Sequence, residues 1–568
     1  PPALTLGHPR VTLSGLPSMG RLSFNHLCEI RACFRSDISK RWCGLRAHAP
    51  MPKGPVANGK PGVLGLRRED KNKWERRAPL APRHVAELQR QGLRVIVQPC
   101  TRRVFTDEEY EEAGAEVRED LSECSTILAV KEIPIDLLLP GRTWCFFSHT
   151  IKAQPSGMPL LDAVLEKKVR LVDYECITKS GTRLDTRLVA FGAFAGYAGA
   201  IDFLRGLGER LLALGFSTPL LHIGSAFMYP TLEEAKRAVA LAGEDIRKKG
   251  LPKAMCPFTA VFTGTGNVSQ GAMEIFKLLP HEMVDPKDLP RLCQRADNGE
   301  LSREDCHKLY LCTATAEHMV RRRDGQPFEK SSYYSQPDDY EGIFQDAVLP
   351  YATVVLNGMY WDVRFPRLFT TQDLHRHAVN GRDKLLGVCD ITCDADGSVP
   401  TRQFASIEQP FHILNAKTEQ ISPCLDDPGI LFHAVDHLPS ELPRESSEHF
   451  GDCLLPFLPA LAQELAPSAP LPGDEMAGSE KLPMQLRGAI IAEGGQLARD
   501  YRYIQQLRGV REGKAKVVDV EENMSTLTPP ACCTLEFTGH LFDSRLINRV
   551  ADLCEEMVGR MQILVLDL

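Results

Sequence analysis

The segment VFTGTGNVSQGA (261–272) constrains the fold of this chain more than any other feature. An apolar run ends in Gly264 and Gly266, and a helix-forming sequence follows, which predicts a buried strand, a tight turn and a helix. Backbone N–H groups at such a helix start, here those of Asn267 and Val268, can hold a pyrophosphate. The turn therefore predicts an α/β domain that binds a dinucleotide.

The residues beyond this turn leave the identity of the nucleotide open. Ser269 stands where a G-x-G-x-x-G motif has its third glycine, so the motif is imperfect. HEMVDP predicts the next strand, and its Asp285 lies 19 residues beyond Gly266. An acid at that position commonly binds the ribose hydroxyls of NAD, whereas the nearby Lys287 and Arg291 could receive the extra phosphate of NADP.

A second alternation of strands and helices precedes the turn. Because parallel strands are joined by helical crossovers, this pattern predicts a parallel sheet, whose ligands bind at the carboxyl ends of the strands. The predicted strands are GVLGLR (62–67), LRVIVQP (93–99), STILAVK (125–131), TWCFFSH (143–149) and VRLVDYE (169–175).

Ionisable residues follow three successive strands of this predicted sheet: Lys131 and Glu132, then His149, then Asp173 and Glu175. Taken singly, such a residue usually lies at a solvated strand end, makes a hydrogen bond in a loop or caps a helix. Their recurrence at neighbouring strand ends favours proton transfer, because lysine, histidine and carboxylate groups tune one another's pKa.

The segment 187–215 has the pattern of a long helix, with Gly192, Gly196 and Gly199 nearly on one face. Glycine lowers helix stability, so we expect another backbone to approach this face closely. This helix is expected to link the two domains.

Composition excludes several classes of function. The formal net charge is -7, which does not favour nucleic acid as a partner. No apolar run approaches the roughly 18 residues that span a bilayer. The 18 cysteines show no spacing typical of a metal site, so we predict reduced thiols and no metal.

Residues 1–60 carry nine Lys or Arg but only two acids. This pattern predicts a mitochondrial transit peptide, with a disordered basic extension or sequence upstream of the true start as the alternatives. A cytoplasmic location is the alternative to a mitochondrial one. A second punctuated stretch, 466–483, reads as a surface loop or insertion.

Eight motifs, in order, resemble those of lysine-ketoglutarate reductase, the first half of bifunctional aminoadipic semialdehyde synthase. More distant similarity is to fungal lysine-forming saccharopine dehydrogenase, alanine dehydrogenase and the transhydrogenase module. The resemblance covers roughly residues 62–511 and rests on RREDKNKWERRAPLAP, LAVKEIP, FFSHTIKAQ, LVDYE, VAFGAFAGYAGAIDFLRGLG, FTGTGNVSQGA, CDITCDADGSV and VDHLPSELPRESSEHFGDCLLP.

The resemblance implies an α/β fold of two doubly wound Rossmann-like domains with a cleft between them. The chain is expected to return to the first domain near CDITCDADGSV. The expected divisions are a basic extension (1–61), the first substrate-domain segment (62–190), the NAD(P)-binding domain (191–400), the segment completing the substrate domain (401–511) and a partial interdomain segment (512–568).

The resemblance also implies residue roles. Lys131 and His149 correspond to the catalytic residues of the family. Arg77 corresponds to the arginine that binds the substrate carboxylate, a role that suits its bidentate fork, although the adjacent Arg76 leaves the position open by one residue. Two carboxylates that tune the site fall on Glu132 and Glu175.

The implied cofactor is NADPH, with NADH as the alternative. An aspartate facing the cofactor falls on Asp390, beside Gly264, Gly266, Asn267 and Val268 of the turn. If NADPH is preferred, Asp285 should lie outside the pocket, because its charge repels a 2′-phosphate.

The implied reaction condenses L-lysine with 2-oxoglutarate, and NADPH reduces the imine to saccharopine. Two other classes stay open: an amino-acid dehydrogenase of the alanine dehydrogenase type, and a non-catalytic nucleotide-binding sensor. The sequence does not decide whether the protein forms a homo-oligomer. It also does not decide whether the chain is a truncated bifunctional enzyme or a monofunctional reductase.

Overall fold

The computed structural model describes residues 60–182, 185–362, 364–381, 384–394, 397–467 and 481–511. These ranges form two eight-stranded sheets and one two-stranded ribbon. Residues 1–59 of the expected basic extension, the segment 512–568 and most of the loop 466–483 lie outside the described residues.

The strands of the described ranges are numbered in chain order. They are β1 (Lys60–Leu66), β2 (Arg94–Val97), β3 (Glu116–Val117), β4 (Cys124–Leu128), β5 (Thr143–Phe146), β6 (Arg170–Asp173), β7 (Phe258–Thr263), β8 (His281–Val284), β9 (Leu309–Ala314), β10 (Val320–Arg322), β11 (Tyr340–Gly342), β12 (Val354–Asn357), β13 (Gly387–Asp390), β14 (Phe411–Leu414), β15 (Ile421–Ser422), β16 (Ile430–His433), β17 (Ile490–Glu493) and β18 (Gln496–Leu497).

The helices of the described ranges are numbered in the same way. They are α1 (Pro82–Arg90), α2 (Asp107–Glu112), α3 (Met158–Glu166), α4 (Gly192–Ala213), α5 (Leu232–Lys249), α6 (Asn267–Phe276), α7 (Leu289–Asp297), α8 (Ala316–Met319), α9 (Lys330–Ser335), α10 (Phe344–Ala347), α11 (Thr371–Val379), α12 (Pro443–Leu454), α13 (Leu458–Gln463), α14 (Met484–Arg487) and α15 (Tyr503–Arg511). None of them combines the length and the apolar character that crossing a membrane requires.

The first sheet has the strand order β18-β17-β6-β5-β4-β1-β2-β3. The six strands β1 to β6 are parallel. Their order in the sheet is the 3-2-1-4-5-6 order of a dinucleotide-binding fold. β17 and β18 extend it by antiparallel pairing. The five strands predicted before the glycine turn are confirmed, because their apolar runs are buried inside this sheet.

The second sheet has the strand order β15-β14-β16-β13-β12-β7-β9-β8. Six adjacent strands of this sheet are parallel: β8, β9, β7, β12, β13 and β16. β14 and β15 extend it at one edge by antiparallel pairing. Alternate residues of β7 enter different hydrophobic clusters: Ala260 and Phe262 enter one, and Val261 enters the other. Both faces of the sheet are therefore covered, which confirms the α/β fold with two doubly wound domains.

The second sheet extends past the division expected at residue 401. Asp390 lies in β13, and β13 pairs with β12 and β16 of the second sheet rather than returning to the first. β14 then continues the hydrogen bonding from β16. Among the described strands, the return to the first sheet comes with β17, which pairs with β6. The expected boundary was misplaced because local sequence does not specify strand partners.

The glycines of α4 allow a close approach to α6, as the sequence predicts. A Cβ atom at Gly196 would lie 2.1 Å from the carbonyl oxygen of Val268, and one at Gly271 would lie 2.4 Å from that of Ala193. At Gly199 the close neighbours are side chains rather than backbone. The start of α6, where the glycine turn ends, is thus fixed against the helix that follows the first sheet.

Candidate functional site

Lys131 follows β4 and is held through its backbone by a buried carboxylate. Glu69 accepts hydrogen bonds from the N–H groups of Val130 at 2.7 Å and Lys131 at 3.0 Å. Burial, and then the charge of Glu75, raise the pKa of Glu69 to about 7. Two contacts to adjacent N–H groups fix the direction in which the chain leaves β4.

Arg77 forms a buried, two-pronged ion pair with Glu75. The Nε–Oε1 and Nη2–Oε2 distances are 2.7 and 2.6 Å, and the two side chains are 4% and 0% exposed. The guanidinium also lies 4.4 Å from the ring centroid of Phe191. Burial alone would raise the pKa of Glu75, but Arg77, with a contribution from Lys131, holds it below its usual value. Glu75 is therefore the counterion that links Arg77 with Lys131.

Arg76, the alternative position for the substrate arginine, points elsewhere. It is exposed, and its Nε donates to the carbonyl oxygen of Arg102 at 3.3 Å. Of the two neighbours, Arg77 is the one that joins the buried cluster. The residue pattern alone left this choice open.

His149 is exposed after β5 on a tight turn with φ 54°, in the left-handed region that non-glycine residues seldom adopt. Asp173, at the end of β6, holds this turn: it accepts from the N–H of Ser148 at 3.0 Å and from the Ser148 hydroxyl. Ser148 Oγ lies 2.8 Å from Thr150 Oγ1. Hydrogen bonds of Ser148 and Thr150, on either side of His149, thus stabilise its unusual backbone conformation. Such conformations are common at functional sites.

The two carboxylates expected to tune the site are in different surroundings. Glu132 pairs with Lys71; burial would raise the pKa of Glu132, but that pairing and the nearby His149 bring it below its usual value. Glu175 forms an ion pair with Arg187 at 2.5 Å, while its N–H donates to the end of β6. The structure thus brings Glu132 into electrostatic contact with His149, and Glu175 into an ion pair with Arg187.

Side chains of the second sheet reach this cluster. His437, in the connection after β16, is partly buried, and burial lowers its pKa; Asp436 opposes this effect, and the charge of Lys131 adds to it. Asp394 interacts with Lys152, which follows the His149 turn. Charged groups at the carboxyl ends of the two sheets are therefore close enough to interact.

Asp390, expected to face the cofactor, is buried in a hydrogen-bond network at the end of β13. It accepts from Asn357 Nδ2 at 2.9 Å, from Thr392 Oγ1 at 2.8 Å and from Thr401 Oγ1 at 2.5 Å. Three donors and 1% exposure give it a role in fixing the strand ends. Its role toward a cofactor stays a prediction. Asp394, on the loop that follows, is exposed.

The glycine turn has the geometry that a dinucleotide requires. Gly264 adopts φ 80°, and Gly266 directly precedes α6, whose first residues are Asn267 and Val268. A Cβ atom at Gly266 would meet nothing within 4 Å, so this face of the turn is open. Ser269, at the third-glycine position, donates its hydroxyl to Thr263 O at 2.5 Å and so packs inward. These residues fit a pyrophosphate bound at the start of a helix.

Asp285 does not lie where the sequence pattern would place an acid on the ribose. β9 separates β8 from β7, so the end of β8 is displaced by two strand spacings, about 10 Å, from the turn. The Asp285 carboxylate instead accepts from Lys287 N at 3.0 Å and caps its own turn. The order of strands, which the motif does not encode, is the reason for this difference.

Three residues of the site were not identified from the sequence: Glu69, Glu75 and His437. Glu69 and Glu75 lie in the same RREDKNKWERRAPLAP motif as Arg77, and His437 lies in VDHLPSELPRE. A buried arginine requires a counterion, so a nearby acid was the available signal for Glu75. No local signal marks Glu69, because its partners are backbone groups far along the chain.

The fold and the glycine turn define a class of α/β proteins built from two Rossmann-like units, one of which carries a turn that fits a nucleotide. Consistent with this class, residues 65–198 match the family described as alanine dehydrogenase/PNT, N-terminal domain.

Individual relatives are more specific. The chain is 41% identical over 510 residues to an alpha-aminoadipic semialdehyde synthase of Arabidopsis thaliana, covering 88% of this chain and 46% of the relative. It is 42% identical over 465 residues to the bovine alpha-aminoadipic semialdehyde synthase, named mitochondrial, covering 79% and 48%. These matches confirm the resemblance that the motifs predict. The chain spans about half of the length of these curated relatives.

A more distant relative is matched along most of its length. The chain is 25% identical over 409 residues to a saccharopine dehydrogenase [NAD(+), L-lysine-forming] of Neurospora crassa, covering 70% of this chain and 91% of the relative.

Proposed function

We propose that this chain is a lysine-ketoglutarate reductase, which condenses L-lysine with 2-oxoglutarate and reduces the resulting imine to saccharopine. The observation that carries the proposal is the Arg77–Glu75–Lys131 cluster at the carboxyl end of the first sheet, opposite His437 of the second sheet. The names of the similar proteins support the choice of substrates.

Arg77 is proposed to bind a carboxylate of 2-oxoglutarate. Because Nε and Nη2 of Arg77 donate to Glu75, the guanidinium is oriented before substrate enters. Its third nitrogen, Nη1, has no partner among the described residues and could donate to the substrate. Prior orientation lowers the entropy cost of binding, and a charge-assisted hydrogen bond from arginine suits a carboxylate.

Lys131 and His149 are proposed to carry protons during condensation. Forming and dehydrating a carbinolamine requires a group that accepts a proton from the amine and one that donates to the leaving hydroxyl. His149, exposed on a fixed turn, suits the second task, and Lys131, held by Glu69 and beside Glu75, suits the first. Glu132 and Glu175 are proposed to adjust the charge of the site, with Glu132 in the better position.

The proposed cofactor is NADPH, held at Gly264, Gly266, Asn267 and Val268 and supported by Asp390. A bound reduced nicotinamide would supply the reducing equivalents. The open face at Gly266 and the displaced position of Asp285 support a nucleotide at the turn and remove one source of repulsion for a 2′-phosphate. The name of the fungal relative includes NAD(+), so NADH remains the alternative.

The experiment that tests the proposal follows NADPH oxidation by the full chain with lysine plus 2-oxoglutarate, and with each omitted. Oxidation that requires both substrates, with saccharopine identified by mass, is expected. Turnover with ammonia and pyruvate instead would identify the alanine dehydrogenase type that the family match also allows. Nucleotide binding without turnover of any substrate would identify a sensor.

We also propose a mitochondrial location, supported by the name of the bovine relative and by the basic composition of residues 1–60. A fluorescent reporter fused to residues 1–60 is expected to enter mitochondria, and a reporter that stays in the cytosol would contradict this location.

A further inference from the structure

We infer that the carboxyl end of β9, at Thr315, discriminates between NADPH and NADH in this protein, and that Asp285 does not. This inference rests on the proposed function, because it concerns the nucleotide that the proposed reaction consumes. It follows from the order of strands in the second sheet, from the contacts of the two residues and from the cavity beside the glycine turn.

The strand order determines which segment lies beside the turn. In the usual dinucleotide fold the strand that follows the first helix neighbours the glycine strand, and its end reads the ribose 2′ position. Here β9 occupies that neighbouring position: it pairs with β7 along its length, from Phe258 with Leu309 to Thr263 with Ala314. The N–H of Gly264 donates to Ala314 O at 2.9 Å. Thr315 is the next residue.

The cavity beside the turn has the same neighbours. Its volume is about 460 Å³, and it is lined by Gly264 and Thr265 of the turn, Ser269 of α6 and Thr313 of β9, among others. The lining contains no residue of β8. A nucleotide that binds at the turn would therefore meet β9 before it could reach β8.

Thr315 presents a neutral side chain at this position. It caps α8: its N–H donates to His318 Nδ1 at 3.2 Å, and its hydroxyl lies 2.8 Å from the same nitrogen and 3.2 Å from Glu317 Oε1. The nearest carboxylate along the chain is that of the exposed Glu317, two residues further on, and it accepts this hydrogen bond. The position of the NAD-binding acid is occupied by a hydroxyl, which carries no charge itself and can donate to a 2′-phosphate in place of Glu317.

The test measures dissociation constants of the full chain for NADPH and NADH by nucleotide fluorescence, without substrates. Thr315→Asp should weaken NADPH relative to NADH by about tenfold or more, because a carboxylate would face the 2′-phosphate. Aspartate caps helices as well as threonine does, so this variant should fold. Thr315→Ser, which keeps the hydroxyl, should preserve the wild-type ratio.

Asp285→Asn is the matched control, because asparagine keeps the oxygen that accepts from Lys287 N. It should change the ratio by less than about twofold if Asp285 lies outside the pocket. A shifted ratio in Asp285→Asn, or an unchanged ratio in Thr315→Asp, would overturn the inference while leaving the proposed function standing. Wild-type protein that binds neither nucleotide would overturn both.

Discussion

The buried pair of Glu75 and Arg77 gives the sharpest prediction. Glu75→Gln keeps the shape of the side chain but removes its charge and replaces one of the two oxygens that accept from Arg77. Arg77 and Lys131 would then share a buried region without their counterion. Removing one partner of a buried ion pair costs about 3–5 kcal/mol, and the retained acceptor offsets part of this loss. We expect the free energy of unfolding to fall by about 2–4 kcal/mol.

The assay is denaturant unfolding of wild type and variant at pH 7 and at pH 4. Because interactions in the fold lower the pKa of Glu75, its stabilising contribution is complete above the unfolded value near 4.5 and is lost as pH falls through the folded pKa. The difference between the proteins should therefore shrink at the lower pH. A variant within about 0.5 kcal/mol of wild type at pH 7 would refute the counterion role.

Glu493→Gln provides a matched control, because Glu493 forms an equally buried pair with Arg170 at 2.8 Å, between β17 and β6. It should lose comparable stability but keep normal turnover per folded molecule. Glu75→Gln should lose stability and also raise the KM for 2-oxoglutarate, since Glu75 orients Arg77. Equal kinetic effects of the two variants would reduce Glu75 to a structural residue.

Three further outcomes are expected. Lys131→Met should lower kcat about a hundredfold while NADPH binding, followed by fluorescence, stays near normal. His149→Gln should do the same and remove one limb of the pH–rate profile; near-normal turnover in either variant would assign the chemistry elsewhere. Glu69 has its pKa raised to about 7, so the fold should lose stability between pH 4.5 and 7 as the unfolded chain releases that proton. Glu69→Gln should flatten this slope in denaturant unfolding, and an unchanged slope would contradict the assignment.

The sequence by itself determined the local elements. Strand positions before the glycine turn, the turn itself and the helix that begins at Asn267 follow from apolar runs and glycine positions. The sequence also marked Lys131 and His149, because residues that follow successive parallel strands meet at one edge of a sheet. These features depend on neighbours within a few residues.

Only the tertiary structure decided which distant groups meet. Glu69 reaches the N–H of Lys131 across 62 positions of sequence, and Glu75 and His437 come from separate segments to the same cluster. The insertion of β9 between β7 and β8, which displaces Asp285 from the turn, is likewise a matter of strand partners. Strand pairing is chosen by burial and hydrogen bonding summed over the whole sheet, so no local pattern specifies it.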